Sequence, residues 1–356
     1  MHTLTTATAP NPVNVRALAT VETLTNIRDI PGADQIVVAR VRGWDVVVKR
    51  GQFTDGDLCV YIEVDALLDV ADPRFEFLTT RGVRTDLDGV YGHVLKTARL
   101  RGQYSQGLAF PLPEFPELGD APAGTDVTAD VALIKWEPPL PASLAGQVRG
   151  MRPSWIPTTD EDRIQNVPDI LGANATWVAT EKVDGTSTTM YVDPSVAMVG
   201  VCSRNLDLLP NPDNTLWAME ARIGAHALLA QSFPGARVAL QGETYGEGIQ
   251  ANPLRVRGQH FAAFTLRVDG AEVPRDLWPA WLLPLSVPVR DVKFPDTLEE
   301  ALAQVESLKS AITPDRAAEG LVWRTLGESY VVLPDGRGTR GSFKVVSNRY
   351  LLKNDR

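Results

Sequence analysis

The chain has 356 residues, of which 44% are hydrophobic and 22% charged, so it has the composition of a folded protein and enough length for two domains. Its formal net charge of -9 excludes a protein that binds nucleic acid through bulk positive charge, and any such contact must be local. No segment approaches the length of a membrane span, and Cys59 and Cys202 are too few for a disulfide framework. We therefore expect a cytoplasmic protein without a membrane partner.

The first part of the chain is a series of short apolar stretches that predict β-strands. They cover residues 13–24, 35–41, 44–49, 57–64, 92–97 and 108–112. Arg42-Gly43 separates the second stretch from the third and predicts a hairpin. About five short strands are the size of a small closed barrel, so we predict an OB-like β-barrel. A linker rich in Pro, Gly and Ala follows at residues 113–157, which gives an N-terminal domain of residues 1–150.

The pattern changes in the second part of the chain to strands separated by helical stretches. The predicted strands cover residues 173–180, 188–192, 236–242, 260–268, 320–325, 330–332 and 342–346. Apolar residues at helical spacing predict helices within 206–231 and over 297–310. These elements predict an α+β domain of mainly antiparallel sheets over residues 151–356.

Lys182 is the first candidate for a chemical role. It follows the predicted strand 173–180 and precedes the turn Asp184-Gly185, which places its amine at a strand end, facing a cleft. A lysine at the start of the tetrapeptide Lys182-Val183-Asp184-Gly185 suits covalent nucleotidyl transfer, although Asp-Gly alone is an ordinary turn signal. Further segments follow in the order that such chemistry needs: Ser203-Arg204-Asn205, Gln241-Gly242-Glu243, Phe261-Ala262-Ala263-Phe264, Glu319-Gly320 and Phe343-Lys344.

These segments resemble, in order and spacing, the covalent nucleotidyltransferase superfamily of ligases and capping enzymes. More closely, the chain resembles ATP-dependent RNA ligases of the Deinococcus type, in which an N-terminal OB module precedes the ligase domain. DNA ligases and capping enzymes instead carry an OB domain after the final lysine motif. The resemblance implies an α+β chain with a five-stranded OB-like β-barrel, followed by a nucleotidyltransferase domain of antiparallel sheets with flanking helices.

The resemblance also implies a reaction in three steps, with ATP and Mg²⁺ or Mn²⁺ as cofactors. Lys182 attacks the ATP α-phosphate, AMP passes to an RNA 5′-phosphate, and a 3′-hydroxyl displaces the AMP. The implied partner is a nicked duplex with an RNA 3′-OH strand, sealed by a monomer in RNA repair. A protonated lysine cannot attack, so we expect burial and positive charge from the metal or from Lys344 to lower the pKa of Lys182.

Family motifs map onto this sequence residue by residue. The implied nucleotide contacts are Glu181, Arg163, Gln165, Asn166, Arg204, Glu243, Phe264, Glu319 and Lys344. The implied ligands of a hydrated metal ion are Asp184, Glu243 and Glu319. Phe264 would stack on adenine, with Phe261 as the alternative, because strand residues three apart face opposite sides.

One position departs from the family pattern, and two other functions compete. Many relatives end in Lys-x-Lys, whereas Val346 stands where the second lysine would be, so Arg340 or Arg349 is left as a candidate replacement. A DNA or mixed-substrate ligase would use the same adenylation site. A non-catalytic RNA-binding protein could keep the fold, but the intact Lys182 and Lys344 count against it.

Overall fold

The structure is a computed structural model that describes residues 16–78, 82–86, 88–137, 139, 146–326 and 330–354. It divides into two compact units, which are Met1–Val41 with Asp45–Pro139 and Arg42–Trp44 with Leu140–Arg356. Within the described ranges, no helix has the length and apolar character needed to cross a membrane.

The first unit is built from short antiparallel strands. They are β1 (Ala19–Asp29), β2 (Ile36–Val41), β3 (Trp44–Lys49), β4 (Leu58–Ile62), β5 (Ala66–Leu68), β6 (Val83–Thr85), β7 (Tyr91–Val94), β8 (Ala98–Leu100), β9 (Gln103–Ser105), β10 (Leu108–Pro111) and β11 (Ile134–Lys135). One sheet has the order β10-β4-β1-β2-β3 and a second has the order β11-β5-β7-β6. The predicted hairpin and the five-stranded OB-like barrel are confirmed.

Hydrophobic burial explains the arrangement of this unit. Strand β4 pairs with β1 on one side and with β10 on the other, and four of its five residues are buried. Val21, Val60 and Phe110 lie in one core cluster, so the central strands are held by side chains as well as by their backbone ladders.

The second unit contains thirteen strands and four helices among its described residues. They are β12 (Val148–Met151), β13 (Trp177–Lys182), β14 (Thr186–Asp193), β15 (Met198–Cys202), β16 (Leu206–Leu208), α1 (Thr215–Ile223), α2 (Ala225–Ser232), β17 (Val238–Gly246), β18 (Gln259–Val268), β19 (Ala271–Glu272), β20 (Val289–Arg290), α3 (Leu298–Glu306), β21 (Gly320–Thr325), β22 (Tyr330–Val332), β23 (Gly338–Arg340), β24 (Ser342–Val346) and α4 (Asn348–Asn354).

Two antiparallel sheets dominate this unit. A seven-stranded sheet has the order β12-β16-β15-β14-β17-β18-β19, and a four-stranded sheet has the order β20-β13-β21-β24. The predicted α+β class with mainly antiparallel sheets is confirmed. Helix α3 packs on one face of the smaller sheet, where Ala301 and Val305 join Trp323 and Phe343 in a core cluster. Helix α3 leaves the opposite face of that sheet uncovered.

The helical prediction for residues 206–231 is wrong in part. Its start forms strand β16, and the helix begins only after Asn214, whose side chain accepts hydrogen bonds from Leu216 N and Trp217 N. Gly224 then adopts φ 69° and separates α1 from α2, because glycine enters the left-handed conformation that ends a helix at low cost.

Candidate active site

Strand β13 presents its last two side chains to opposite sides of the four-stranded sheet. Ala179 belongs to the core cluster under α3, so the alternation of the strand places Glu181 on that side and Lys182 on the other. Lys182 pairs with Gly320 across the ladder, and Val322 pairs with Lys344. Lys182 and Lys344 therefore share the face of the sheet that α3 leaves open.

Lys182 lies among carboxylates. Its Nζ is 2.6 Å from Glu319 Oε1, and its side chain is 27% exposed. Burial alone would lower the pKa of Lys182, but Glu319, Glu243 and Asp184 outweigh that effect and raise it. The expected lowering of this pKa is thus wrong, since the charge that the neighbouring side chains supply is negative rather than positive.

Glu243 lies on strand β17 of the larger sheet, opposite Ala262 of β18. Removal from water, with Glu319 and Asp184 nearby, raises the pKa of Glu243 to about 8 in spite of the opposing attraction of Lys182. Lys182 and Glu243 belong to different sheets, so this interaction places the open faces of the two sheets opposite each other. The cleft between them is the candidate site.

Gly185 is required by close packing at the edge of this cleft. A Cβ at this position would lie 2.3 Å from Thr244 O and 3.0 Å from Glu243 Cγ, which no larger residue could tolerate. Its φ lies outside the left-handed region, so conformational freedom is not the reason for the glycine. The glycine therefore lets the segment that carries Lys182 and Asp184 approach strand β17.

Strand alternation places Phe261 and Phe264 on opposite faces of β18, and a β-bulge lies at Phe264. Gln241 pairs with Thr265 but Gly242 pairs with Ala263, so Phe264 is the extra residue of strand β18. Phe261 is buried in the core of the larger sheet, whereas Phe264 packs with Val183 on the cleft side. This arrangement favours Phe264 over Phe261 as the ring available to a ligand.

A second charged cluster lies beside Phe264. The Arg324 guanidinium is 5.7 Å from the centre of the Phe264 ring, and its Nη2 donates to Glu161 Oε1 at 2.8 Å. Glu161 is buried, pairs with Arg340 at 3.3 Å and accepts a hydrogen bond from Ser342 Oγ. Burial alone would raise the pKa of Glu161, but its two arginine neighbours and Ser342 lower it. Arg340 thus serves as a partner of Glu161.

Asp184 has a partner outside the predicted set. Tyr350 of helix α4 donates a hydrogen bond from its hydroxyl to Asp184 Oδ2 at 2.9 Å. Tyr350 is buried, and that burial together with Asp184 and Glu319 raises its pKa, so the hydroxyl remains a donor. No spacing pattern could predict this contact, because α4 has only seven residues.

Glu181 is held on the core side of β13. Its Oε2 lies 2.6 Å from Arg290 Nη1 and accepts a hydrogen bond from Ala311 N, while Oε1 accepts one from Ser310 Oγ. Glu181 is 1% exposed, so its carboxylate is covered by these partners rather than open to the cleft. Its observed contacts fix strand β20 and residues 310–311 against strand β13.

The remaining predicted residues are Arg163, Arg204, Gln165 and Asn166, and each has contacts of its own. Arg163 forms an isolated parallel bridge with Lys344, which joins its segment to strand β24. Arg204 is 44% exposed and pairs with Asp160 at 2.8 Å, although its charge also acts on Glu243. Gln165 is buried, and Asn166 Oδ1 accepts a hydrogen bond from Trp44 Nε1 at 2.5 Å.

The three predicted metal ligands lie around the Lys182 ammonium. Asp184, Glu243 and Glu319 act on the same ammonium group, and Glu319 Oε2 is buried with no hydrogen-bond partner in the described part of the chain. Carboxylates and water are the ligands that Mg²⁺ and Mn²⁺ prefer. Among the described residues, no three His, Cys, Asp or Glu side chains converge closely enough to bind an ion directly. The set fits an ion held through water.

The fold and this cleft define a class of protein, an OB-fold module joined to a nucleotidyltransferase-type domain. The family comparisons agree with that class: an OB-fold domain matches residues 18–112, and RNA ligase matches residues 175–346. No curated protein matches the chain.

Comparison with solved structures identifies a particular enzyme to which the chain is similar. A Naegleria gruberi RNA ligase with pyrophosphate is 35% identical, with 96% of this chain and 100% of that chain covered at a TM-score of 0.81. A mutant of that enzyme with AMP and Mn is 34% identical over 96% and 99% of the two chains, with a TM-score of 0.81. Another mutant, with ATP and Mn, is 34% identical over 95% and 99%, also with a TM-score of 0.81. The chain belongs to the RNA ligase family.

Proposed function

We propose that the protein is an ATP-dependent RNA ligase that forms a covalent lysyl-AMP on Lys182 and seals nicks in duplexes with an RNA 3′-OH strand. The observation that carries the proposal is the position of Lys182, at the end of β13, in a cleft with three carboxylates. The Naegleria gruberi enzyme, which is similar over nearly the whole chain, has been solved with ATP, AMP, pyrophosphate and Mn. ATP is the substrate of lysine adenylylation, pyrophosphate is its leaving group, and AMP is the group that the lysine would carry.

The described residues divide the work of the first step. The Lys182 ammonium must lose a proton before Nζ attacks the α-phosphate, and Glu319 Oε1 at 2.6 Å is placed to accept it. Formation of the N–P bond breaks the bond to pyrophosphate, which leaves. Phe264 offers a ring face to adenine, and Lys344 offers a positive charge on the same sheet face as Lys182.

Asp184, Glu243 and Glu319 would hold the divalent ion through water. When bound there, the ion supplies positive charge that offsets these carboxylates and the charge that grows on the α-phosphate. The carboxylates themselves keep Lys182 oriented toward the cleft, since Glu319 pairs with its amine.

The later steps rest on the same site. AMP passes from Lys182 to the RNA 5′-phosphate, and the 3′-hydroxyl then displaces AMP to form the phosphodiester. We infer that the enzyme acts as a monomer in the cytoplasm during RNA repair, and the buried, free thiols of Cys59 and Cys202 suit a reducing compartment. We also propose residues 1–150 and 151–356 as its functional domains.

Covalent labelling tests the first step. Incubation with radiolabelled ATP and Mn²⁺ should label the wild type, and Lys182→Ala should abolish the label. Lys49→Ala is the matched control, because Lys49 is an exposed lysine at the end of another strand, and it should label like the wild type. Labelling with GTP but not ATP would contradict the proposal.

Sealing assays test the substrate. Nicked duplexes that differ only in whether the 3′-OH strand is RNA or DNA should be compared at equal concentrations. The proposal expects faster sealing with the RNA strand. Equal sealing of both would identify a mixed-substrate ligase instead, and adenylylation without any sealing would point to a different acceptor.

A further inference from the structure

We propose that Tyr350 is a positioning residue for the ligase reaction, which acts by holding the Asp184 carboxylate in the orientation needed for adenylylation of Lys182. This inference rests on the proposed function of Lys182 and assigns a role to a residue outside the motifs. The observation behind it is the 2.9 Å hydrogen bond from the Tyr350 hydroxyl to Asp184 Oδ2.

Asp184 needs such a partner because of its surroundings. It lies two residues after Lys182, and its charge acts on that lysine together with the charges of Glu243 and Glu319. Three carboxylates near one ammonium repel one another, so a freely rotating Asp184 would turn away from the others. A neutral donor fixes the Oδ2 oxygen of Asp184 without removing the charge of the carboxylate.

Helix α4 is anchored firmly enough to act as the support. The Asn348 backbone N–H donates to Glu306 Oε1 of helix α3 at 2.7 Å, and Tyr350 N donates to Ser347 Oγ at 3.1 Å. Tyr350 and Leu351 are buried, so the helix cannot rotate without exposing apolar surface. The phenol is therefore held in place by packing and not only by its own hydrogen bond.

The same short segment also contacts the second carboxylate of the site. Ser347 N donates to Glu319 O at 2.9 Å, three residues before Tyr350. Residues 347–350 thus connect the backbone of Glu319 to the side chain of Asp184. One short segment therefore contacts both of the acids that flank Lys182.

The test is single-turnover adenylylation of Tyr350→Phe, which removes the hydroxyl and keeps the ring. We expect the rate at saturating ATP to fall about tenfold or more, the size expected for loss of a hydrogen bond to a charged group. The final amount of lysyl-AMP and the KM for ATP should stay near those of the wild type, and the melting temperature should fall by only a few degrees, as for loss of one hydrogen bond. Tyr330→Phe is the control, since Tyr330 is 62% exposed, and its rate should be unchanged.

Each other outcome overturns the inference. An unchanged rate for Tyr350→Phe would show that the hydrogen bond has no part in the reaction. A fall in melting temperature with a matching fall in the amount of lysyl-AMP would show that the hydroxyl only stabilises the fold. Failure of the wild type itself to form lysyl-AMP would instead contradict the proposed function, so the two failures are distinguishable.

Discussion

Two charged clusters in the second unit have opposite charge balance. In the cluster around Lys182, one ammonium faces Asp184, Glu243 and Glu319. In the cluster around Glu161, one buried carboxylate faces two guanidiniums, those of Arg324 and Arg340. The pKa of Glu243 is raised to about 8, whereas the pKa of Glu161 is lowered.

This difference identifies the Glu161 cluster as a structural network and the Lys182 cluster as the reactive one. Glu161 has partners for both oxygens, and its pair with Arg324 holds that guanidinium beside Phe264. Glu319 Oε2 is buried without a hydrogen-bond partner among the described residues, and the carboxylates around it outnumber the ammonium, which favours uptake of a cation. A buried carboxylate oxygen with unmet hydrogen-bonding capacity is typical of a site that binds a ligand.

The largest expected effect comes from changing the reactive cluster. Glu319→Ala should lower adenylylation and sealing by about 1000-fold, because it removes the ion-pair partner of Lys182 and one charge of the metal site. Its melting temperature should stay close to that of the wild type, because Asp184 and Glu243 still face the Lys182 ammonium. Lys344→Ala should also lose sealing. Glu114→Ala, at an exposed carboxylate, is the control, and near-normal sealing by Glu319→Ala would refute the role of Glu319.

The next largest expected effect is a loss of stability when Glu161, the centre of the structural cluster, is replaced by alanine. Glu161→Ala leaves Arg324 and Arg340 without their shared carboxylate, and loss of one partner of a buried ion pair costs about 3 kcal/mol. Denaturant unfolding should measure this change. Asp296→Ala breaks an exposed pair with Lys293 and should cost less than about 1 kcal/mol, so it serves as the control. Equal losses in the two variants would erase the distinction between buried and exposed pairs.

The raised pKa of Glu243 should appear in the pH dependence of stability. The pKa of Glu243 rises from its usual 4.5 to about 8 on folding, so its stabilising contribution is complete below pH 4.5 and is lost as pH rises toward 8. Glu243→Gln avoids that loss. With a chelator present, its melting temperature should therefore exceed that of the wild type increasingly between these pH values. A difference that is constant with pH would contradict the raised pKa.

The smallest expected stability effect is at Arg204, whose pair with Asp160 is exposed on both sides. Arg204→Ala should change the free energy of unfolding by less than about 1 kcal/mol, because solvent screens such pairs. If Arg204 leaves Asp160 to contact the nucleotide, the KM for ATP should nevertheless rise several-fold. Asp160→Ala is the informative partner variant, since it should leave the KM for ATP unchanged or lower it.

Much of the fold was predictable because hydrophobic patterns reflect burial. The hairpin of β2 and β3, the strand before Lys182 and helix α3 all follow from alternation or helical spacing. Gly224 escaped prediction because the apolar spacing continues through it into α2. Helix α4 is too short to show a period, and its position depends on tertiary contacts such as those of Glu306.

The closeness of Lys182, Glu243 and Glu319 was predictable from the sequence, but the electrostatics of the cluster were not. The family motifs brought Lys182, Glu243 and Glu319 together, and the structure places them within one cleft. Their combined charge, which raises the pKa of Lys182, depends on three-dimensional distances that no spacing reveals. The same is true of Tyr350 and Glu161, whose partners lie more than a hundred residues away in the chain.

The central claim is that Lys182 carries AMP, and peptide mapping by mass spectrometry tests it most directly. The wild type, incubated with ATP and Mn²⁺ and then digested, should contain one AMP adduct, located on the peptide that spans Lys182. Lys182→Ala should contain none. An adduct on another lysine, or retention of the adduct in Lys182→Ala, would contradict the account.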